Sequence, residues 1–271
     1  MESFFLILGS NFTKTILFIV LVYQYFFATK SEYYREFLRW LKPFNYFDKV
    51  ELIAEEPIKK SKCLFCFHPH GIAGFGFTMS AAFNQIIYDS CYCVSSGMLL
   101  LPFSGILAKW IGLNGAGNSN FKEFMKARRN ISFIPGGFEE ATLTNCTKER
   151  IFIKQTKGFI KYSLEYGYTV YPIYTFNENK VYTTINILEE FRLWLNKFKI
   201  PGTLFYWKYG WLPRTDVELT IVVGKGIELP KIDYPNSEQI EYYHSIYLEK
   251  IKELFDRHKS KYGFNGELEI L

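Results

Sequence analysis

From Lys62 onward, short runs of β-branched and aromatic residues alternate with longer stretches of helical periodicity, and this alternation restricts the fold more than any other feature of the chain. KCLFCF (62–67), CYCV (91–94), ISFI (131–134), YTVYPIY (168–174) and VELTIVV (217–223) have the length and composition of strands. Segments near 77–87, 99–111, 119–128, 157–166 and 237–260 read as helices. Parallel neighbours in a sheet need a crossover between them, usually a helix. The pattern therefore predicts an α/β fold: a mixed, largely parallel sheet flanked by helices. No internal repeat or long linker interrupts it, so 31–271 is predicted to be one domain. The last helix has the clearest local signals. Asn236 and Gln239 resemble a capping box, Ile240, Tyr243, Tyr247, Ile251, Leu254 and Phe255 form one apolar face, and Gly263 is expected to end it.

Residues 4–29, FFLILGSNFTKTILFIVLVYQYFFAT, are apolar on nearly every side, which argues against an ordinary amphipathic core helix. No small-residue cleavage site follows, so a secretory signal peptide is disfavoured. The run after the polar break, 16–28, is short for the roughly 20 residues a straight bilayer span needs. A tilted span, a re-entrant hairpin broken near 9–15 and an interfacial anchor all stay open, with 1–30 predicted to be a membrane segment. Ser31 then starts SEYYREFLRWLKPF, in which Tyr34, Phe37, Leu38 and Leu41 recur at helical spacing until Pro43, as suits a water–lipid interface.

Composition supports an apolar partner. Aromatic residues make up 19% of the chain, from 27 Phe, 20 Tyr and 5 Trp, more ring surface than a soluble core needs. A net charge of +5 favours anionic surfaces but is too mild to argue for nucleic acid. Five cysteines, an odd number set mostly in apolar runs, argue against a secreted disulfide framework. Cys63 and Cys66 form a CxxC near His68 and His70, yet the run is strand-like and no second ligand pair follows, so no metal site is predicted.

Two strand ends carry the chemistry. In an α/β sheet, catalytic groups gather at the carboxyl ends of strands. The strand 62–67 runs into His68, Pro69, His70 and Gly71. Pro69 restricts His68 to extended backbone, while Gly71 permits a tight turn that would expose the His70 ring. The strand 131–134 runs into Pro135, Gly136 and Gly137, whose backbone amides suit an oxyanion or phosphate, with Glu139 and Glu140 next. A helix start explains the same Gly-Gly and Glu-Glu about as well. Together the turns suggest a base, His70, and a carboxylate that orients it. No GxSxG elbow is present, and an apolar strand would blunt the nearby Cys66 thiol, so an acyl-enzyme is disfavoured.

At this point the sequence resembles the acyl-CoA:diacylglycerol acyltransferase family of the second type, which also holds monoacylglycerol and wax-alcohol acyltransferases. The likeness spans most of the chain after residue 60 in ordered blocks: FHPHG (67–71), IPGGFEEA (134–141), KGFIKYSLEYGYTVYPIYTFNEN (157–179), LPRTDVELTIVVGKGIELP (212–230) and the terminal helix. The resemblance implies a glycerolipid-acyltransferase-like fold, with acyl-CoA as co-substrate, no further cofactor, and a diacylglycerol acceptor that becomes triacylglycerol. Monoacylglycerol or a long-chain alcohol is the nearest rival acceptor. It implies an endoplasmic reticulum membrane or lipid-droplet surface as location, and leaves a homo-oligomer open. It places His70, His68 and Glu140, rather than Glu139, among the catalytic residues. Pro69, Gly71, Pro135, Gly136, Gly137, Lys157, Gly158, Phe159, Glu178 and Asn179 become candidate substrate-binding residues. Relatives among glycerolipid acyltransferases use a His-x4-Asp pair, but five positions after His70 stands Phe75, so Glu140 is expected to orient the base. Asn177 stands where the family usually has Gly, and Lys157 where Arg is common.

The aromatic stretch 191–213 reads either as a lipid-facing mouth, with Trp194, Trp207 and Trp211 at the interface and Lys197, Lys199 and Lys208 near headgroups, or as a hairpin packed on the core. Lys122, Lys126, Arg128 and Arg129 suit CoA phosphates or, equally, a solvated helix face. A catalytically silent lipid-binding protein is the competing class, and the intact HPHG turn speaks against it.

Overall fold

A computed structural model of the chain describes residues 11–41, 43–83, 87, 90–198, 200, 202–207 and 212–271. Helix α1 (Asn11–Phe26) leads to α2 (Glu32–Trp40), capped by the Ser31 hydroxyl, which accepts the Tyr34 N–H. Strands β1 (Lys49–Ala54) and β2 (Cys63–His68) precede α3 (Phe75–Phe83), β3 (Ser90–Val94), α4 (Ser96–Leu100), α5 (Ser104–Ile111) and β4 (Asn114–Gly115). Next come α6 (Asn118–Lys126), β5 (Asn130–Phe133), α7 (Gly137–Leu143), β6 (Arg150–Ile151), α8 (Gly158–Tyr166) and β7 (Thr169–Phe176). The last third holds β8 (Thr183–Thr184), α9 (Glu189–Asn196), β9 (Phe205–Tyr206), β10 (Glu218–Val223), β11 (Ile227–Glu228), α10 (Ser237–His258) and β12 (Glu269–Ile270).

The main sheet has the order β1-β10-β7-β2-β5-β3-β4, with β11 also on β7. Its pairings are parallel except those of β10 and β11 with β7. The five predicted strands form its centre, β2 innermost, and the mixed, largely parallel sheet flanked by helices is the fold expected. Every residue of β2 is buried because helices cover both faces, and the strand's period of two divides it. Leu64 and Cys66 join the cluster holding Phe159, Tyr247 and Leu254, whereas Cys63, Phe65 and Phe67 pack with Phe77 and Ala81 of α3. His68 therefore points to the α10 side, and Cys63 and Cys66 face opposite layers, which separates the CxxC thiols. Among the described residues no His, Cys, Asp and Glu cluster is arranged for a metal ion.

Several expectations need correction. The predicted helix over 99–111 is two, α4 and α5, because Pro102 lacks an N–H and Phe103 adopts φ +64°. The helix expected over 77–87 runs Phe75–Phe83, and 84–86 lie outside the described residues. Helix α10 stops at His258, and Gly263, at φ +77°, instead caps the 3₁₀ turn Lys259–Tyr262. Edge strand β1 escaped the sequence reading, since KVELIA carries charges that blur its pattern.

The tilted-span option finds no support in α1. It is 16 residues long, and among the described residues no helix is long and apolar enough to cross a membrane. Residues 4–10 of the apolar run lie outside the described part. Helix α1 exposes Phe12, Phe18, Ile19, Tyr25 and Phe26, while the buried Gln24 fastens it: its Nε2 donates to the Leu99 carbonyl at 2.7 Å, and Lys109 Nζ donates to the Gln24 carbonyl at 2.5 Å. The expected amphipathic helix is present as α2, exposing Tyr33, Phe37 and Trp40.

The capping box at the start of α10 is complete: the Asn236 side chain accepts the Gln239 N–H at 2.8 Å, and the Gln239 side chain accepts the Asn236 N–H at 3.0 Å. Asn236→Ala is expected to cost about 1 kcal/mol of stability, seen as a lower midpoint in denaturant unfolding of the purified chain.

Candidate active site

The parallel register of β2 and β5, with Cys66 opposite Phe133, sets the turns that follow them side by side. The first turn holds His68, Pro69, His70 and Gly71, with a cis His68–Pro69 peptide. The second holds Pro135, Gly136 and Gly137 and opens α7, which carries Glu140 inward.

Glu140 is fully buried and is the hub of the site. Both carboxylate oxygens lie 3.1 Å from His68 Nδ1. Oε1 also accepts the His70 backbone N–H at 2.7 Å, and Oε2 the Phe152 N–H at 2.9 Å. A carboxylate only accepts, so the His68 proton sits on Nδ1, and Nε2 accepts the Tyr247 O–H at 2.9 Å. With no exposed surface and both ring nitrogens engaged, His68 positions its neighbours and has no edge to offer a substrate. This corrects its assignment as a catalytic group. The expected pairing of Glu140 with the His70 ring is corrected too: Glu140 holds the His68 ring and the backbone of His70.

His70 is a partly exposed residue at the sheet's edge. Its Nδ1 lies 3.1 Å from the Gly71 carbonyl, which can only accept, so Nδ1 carries the proton and the Nε2 lone pair is left for chemistry. Burial within the turn pushes the His70 pKa down, against the pull of Glu140. A neutral, tautomerically defined imidazole results. Four cavities of about 790, 590, 570 and 540 Å³ are lined by other residues, so none of them reaches His70.

Two glycines are dictated by this geometry. A Cβ on Gly136 would stand 2.1 Å from Glu140 Oε2, and one on Gly71, at φ +59°, 2.6 Å from Glu178 Cγ. Pro69 and Pro135 are buried between these turns, and Gly137 takes φ +54°. The Glu178 carboxylate is buried and accepts the N–H groups of Phe75 and Gly76, both at 2.8 Å, at the start of α3. The position that holds Asp in the His-x4-Asp pair thus supplies a backbone donor to Glu178. Burial lifts the Glu178 pKa to about 7.

The other residues singled out in the sequence divide by burial. Asn179 is buried and donates to Glu149 at 2.9 Å, beside the Tyr174 hydroxyl, which donates to the same carboxylate at 2.6 Å. Phe159 is buried edge-to-face on Tyr247 at 5.0 Å between centroids. Its ring, with Glu178 and Asn179, is engaged within the fold and is not presented to a substrate. Lys157 pairs with Glu241 at the start of α8, and Gly158 is exposed with nothing near its Cα. Asn177, standing where Gly is usual, adopts φ +67°, a conformation Asn tolerates, and donates to the Glu218 carbonyl at 2.7 Å.

Sequence reasoning missed Tyr247, Phe152 and Glu149 as parts of this network. Tyr247 lies 179 positions from His68 and reads as one more apolar-face residue of α10. Within the aromatic stretch, α9 exposes Phe191 and Trp194 and the turn after it exposes Phe198, while Arg192 donates to the Thr142 carbonyl at 2.9 Å and ties α9 to α7. Trp207 lies beneath the Arg214 guanidinium. Lys199, Lys208 and Trp211 lie outside the described residues.

A sequence profile described as diacylglycerol acyltransferase matches residues 5–271. The chain belongs to the diacylglycerol acyltransferase family. Diacylglycerol O-acyltransferase 1 of Eremothecium gossypii is 27% identical over 77% of this chain and 50% of its own, so the chain spans half of that relative. Diacylglycerol O-acyltransferase 2 of Dictyostelium discoideum is 27% identical over 89% of this chain and 81% of that protein. The human diacylglycerol O-acyltransferase 2 is 27% identical over 89% and 68%. Among solved structures, the 1-acyl-sn-glycerophosphate acyltransferase of Thermotoga maritima aligns with a TM-score of 0.47 at 10% identity, over 82% of this chain and 79% of that one.

Two outcomes follow for this family member. Gly136→Ala must displace Glu140 and is expected to cost on the order of 1–3 kcal/mol, whereas Gly158→Ala, with open space around it, should leave the melting temperature unchanged. Glu178, raised from 4.5 to about 7, binds its proton more tightly when folded; its contribution is full below pH 4.5 and is lost as pH rises through about 7. Stability titrations of wild type and Glu178→Gln should therefore diverge across that window, with wild type losing ground as pH rises.

Proposed function

We propose that this family member is an acyl-CoA-dependent O-acyltransferase that makes triacylglycerol from diacylglycerol, with His70 as the general base. The neutral ring of His70, a partly exposed residue at the sheet's edge, is protonated on Nδ1 by its tie to the Gly71 carbonyl and carries this reading. A thioester is already activated, so catalysis requires removal of the alcohol's proton and stabilisation of the tetrahedral oxyanion. As the acceptor oxygen attacks the thioester carbonyl, His70 Nε2 takes its proton. The oxyanion collapses, the carbon–sulfur bond breaks, and the imidazolium returns the proton to the CoA thiolate. Triacylglycerol and free CoA leave with all atoms balanced. The backbone amides of the Gly136–Gly137 turn, which follows the strand beside β2, serve the oxyanion. Glu140, His68 and Tyr247 act indirectly, holding the His70 backbone in place.

The enzyme works at a lipid surface, which the resemblance takes to be the endoplasmic reticulum membrane or the lipid droplet. Support comes from apolar side chains left in the open on α1, α2 and α9: Phe18, Phe26, Trp40, Phe191 and Trp194 are each between 47% and 73% exposed. Helix α1, pinned by Gln24, suits an interfacial helix lying in the headgroup region.

His70→Ala is expected to reduce acyl transfer by about 10²- to 10⁴-fold at unchanged protein level, read as labelled triacylglycerol in cells lacking other neutral-lipid synthesis. Wild-type activity in that variant would defeat the assignment. Because the His70 pKa is lowered from 6.5, the base stays neutral through physiological pH, and the acid limb of the pH–rate profile should lie below 6.5.

A further inference from the structure

We infer that the edge of the sheet opposite His70 binds a phosphate-bearing lipid, with the phosphate in a cationic cavity and a fatty chain in an apolar cavity beside it. The first cavity, about 790 Å³, lies where β3 and β5 begin, a strand's length from the turns that hold His70. Lys30, Arg35, Arg39, Lys109 and Arg129 line it, and no acidic residue does so among the described residues. Glu32, outside the lining, offsets part of this charge through Lys30 at 2.8 Å and Arg35 at 3.1 Å. Arg35 nonetheless keeps a buried Nε without a partner, and Tyr92, a residue only 6% exposed, lines the same cavity. Burying an unpaired donor costs free energy, so the guanidinium marks a place where an acceptor is expected. Phosphate oxygens, anionic and rich in lone pairs, match this set of donors.

The second cavity, about 540 Å³, decides between a lipid and a water-soluble phosphate. Phe18, Leu21, Val22 and Phe26 of α1 line it with Leu100 of α4. Leu99 and Lys109 line both cavities, so the two adjoin. Gln24, whose buried Oε1 has no partner, also lines this second space. A charged compartment joined to an oily one matches the two ends of a phospholipid. The phosphates of CoA would fill only the first, and on the edge away from the base. Helices α1 and α2, which wall the site, also expose Phe12, Phe26, Tyr33 and Trp40, so lipid can reach it laterally from a membrane surface.

The test uses the full chain in neutral detergent, titrated calorimetrically with dihexanoyl phosphatidate, dihexanoyl phosphatidylcholine, inorganic phosphate and CoA. Phosphatidate is expected to bind, and Lys109→Gln or Arg39→Gln to weaken it by about tenfold or more, as loss of a charged hydrogen bond predicts. Arg39 is exposed, so its variant tests the idea even where Lys109→Gln disturbs α1. Leu21→Ser should weaken phosphatidate while leaving inorganic phosphate unchanged. Acyl transfer in phosphatidylcholine vesicles should keep its KM for acyl-CoA in every variant. Equal phosphatidate binding by wild type and both charge variants would overturn the proposal. So would displacement of phosphatidate by CoA or inorganic phosphate at matching concentration, or a raised KM for acyl-CoA in the variants.

Discussion

The Glu140 carboxylate is the constraint on which the rest of the site depends. It has no exposed surface, yet it accepts from the His68 ring and the His70 backbone of one turn and from the Phe152 backbone of a distant segment. A buried carboxylate without donors would be untenable, so the two segments and the carboxylate hold each other in place. The requirement spreads outward. Gly136 must lack a side chain because Glu140 fills that space, and Tyr247 must reach His68 because the far ring nitrogen needs a donor. The His70 ring is left outside this network, and the residue is held through its backbone.

A second buried carboxylate, Glu178, performs a similar task one turn further on. It closes the start of α3 by accepting two backbone N–H groups and fills the space beside Gly71. The HPHG turn is thereby held by Glu140 at His68 and His70, with Glu178 filling the space beside Gly71. Relatives with a His-x4-Asp pair place an acid within the turn's own segment; here both acids arrive from distant segments. The burial that makes these contacts possible also lifts the Glu178 pKa towards neutrality.

Away from the site, polar ties bind helices with exposed apolar side chains to the layers around the sheet. Gln24 and Lys109 hold α1 against α4 and α5, and Arg192 with Asn196 holds α9 against α7, the helix that carries Glu140. Apolar side chains left uncovered on α1, α2 and α9 therefore belong to a rigid frame. A lipid surface would complete their burial without unfolding any strand.

The order of strands and helices was legible because hydrophobic periodicity is local: the buried runs of β2, β5 and β7, the amphipathic face and capping box of α10, and the strand-end location of both turns are properties of neighbouring residues. Local reasoning also placed His70 in a turn at a strand end, between Pro69 and Gly71. It failed where the partners are remote. Nothing near Glu140 reveals that it serves the His68 ring and the His70 backbone, and nothing near Tyr247 separates its hydroxyl from the apolar face around it. The same holds for Phe159, Glu178 and Asn179, whose motif suggested substrate contact until folding buried them. Periodicity records which face of an element is covered, so the sequence alone determined the layers. Which buried polar atoms meet is set by register and packing across distant segments, and only the tertiary structure decided that.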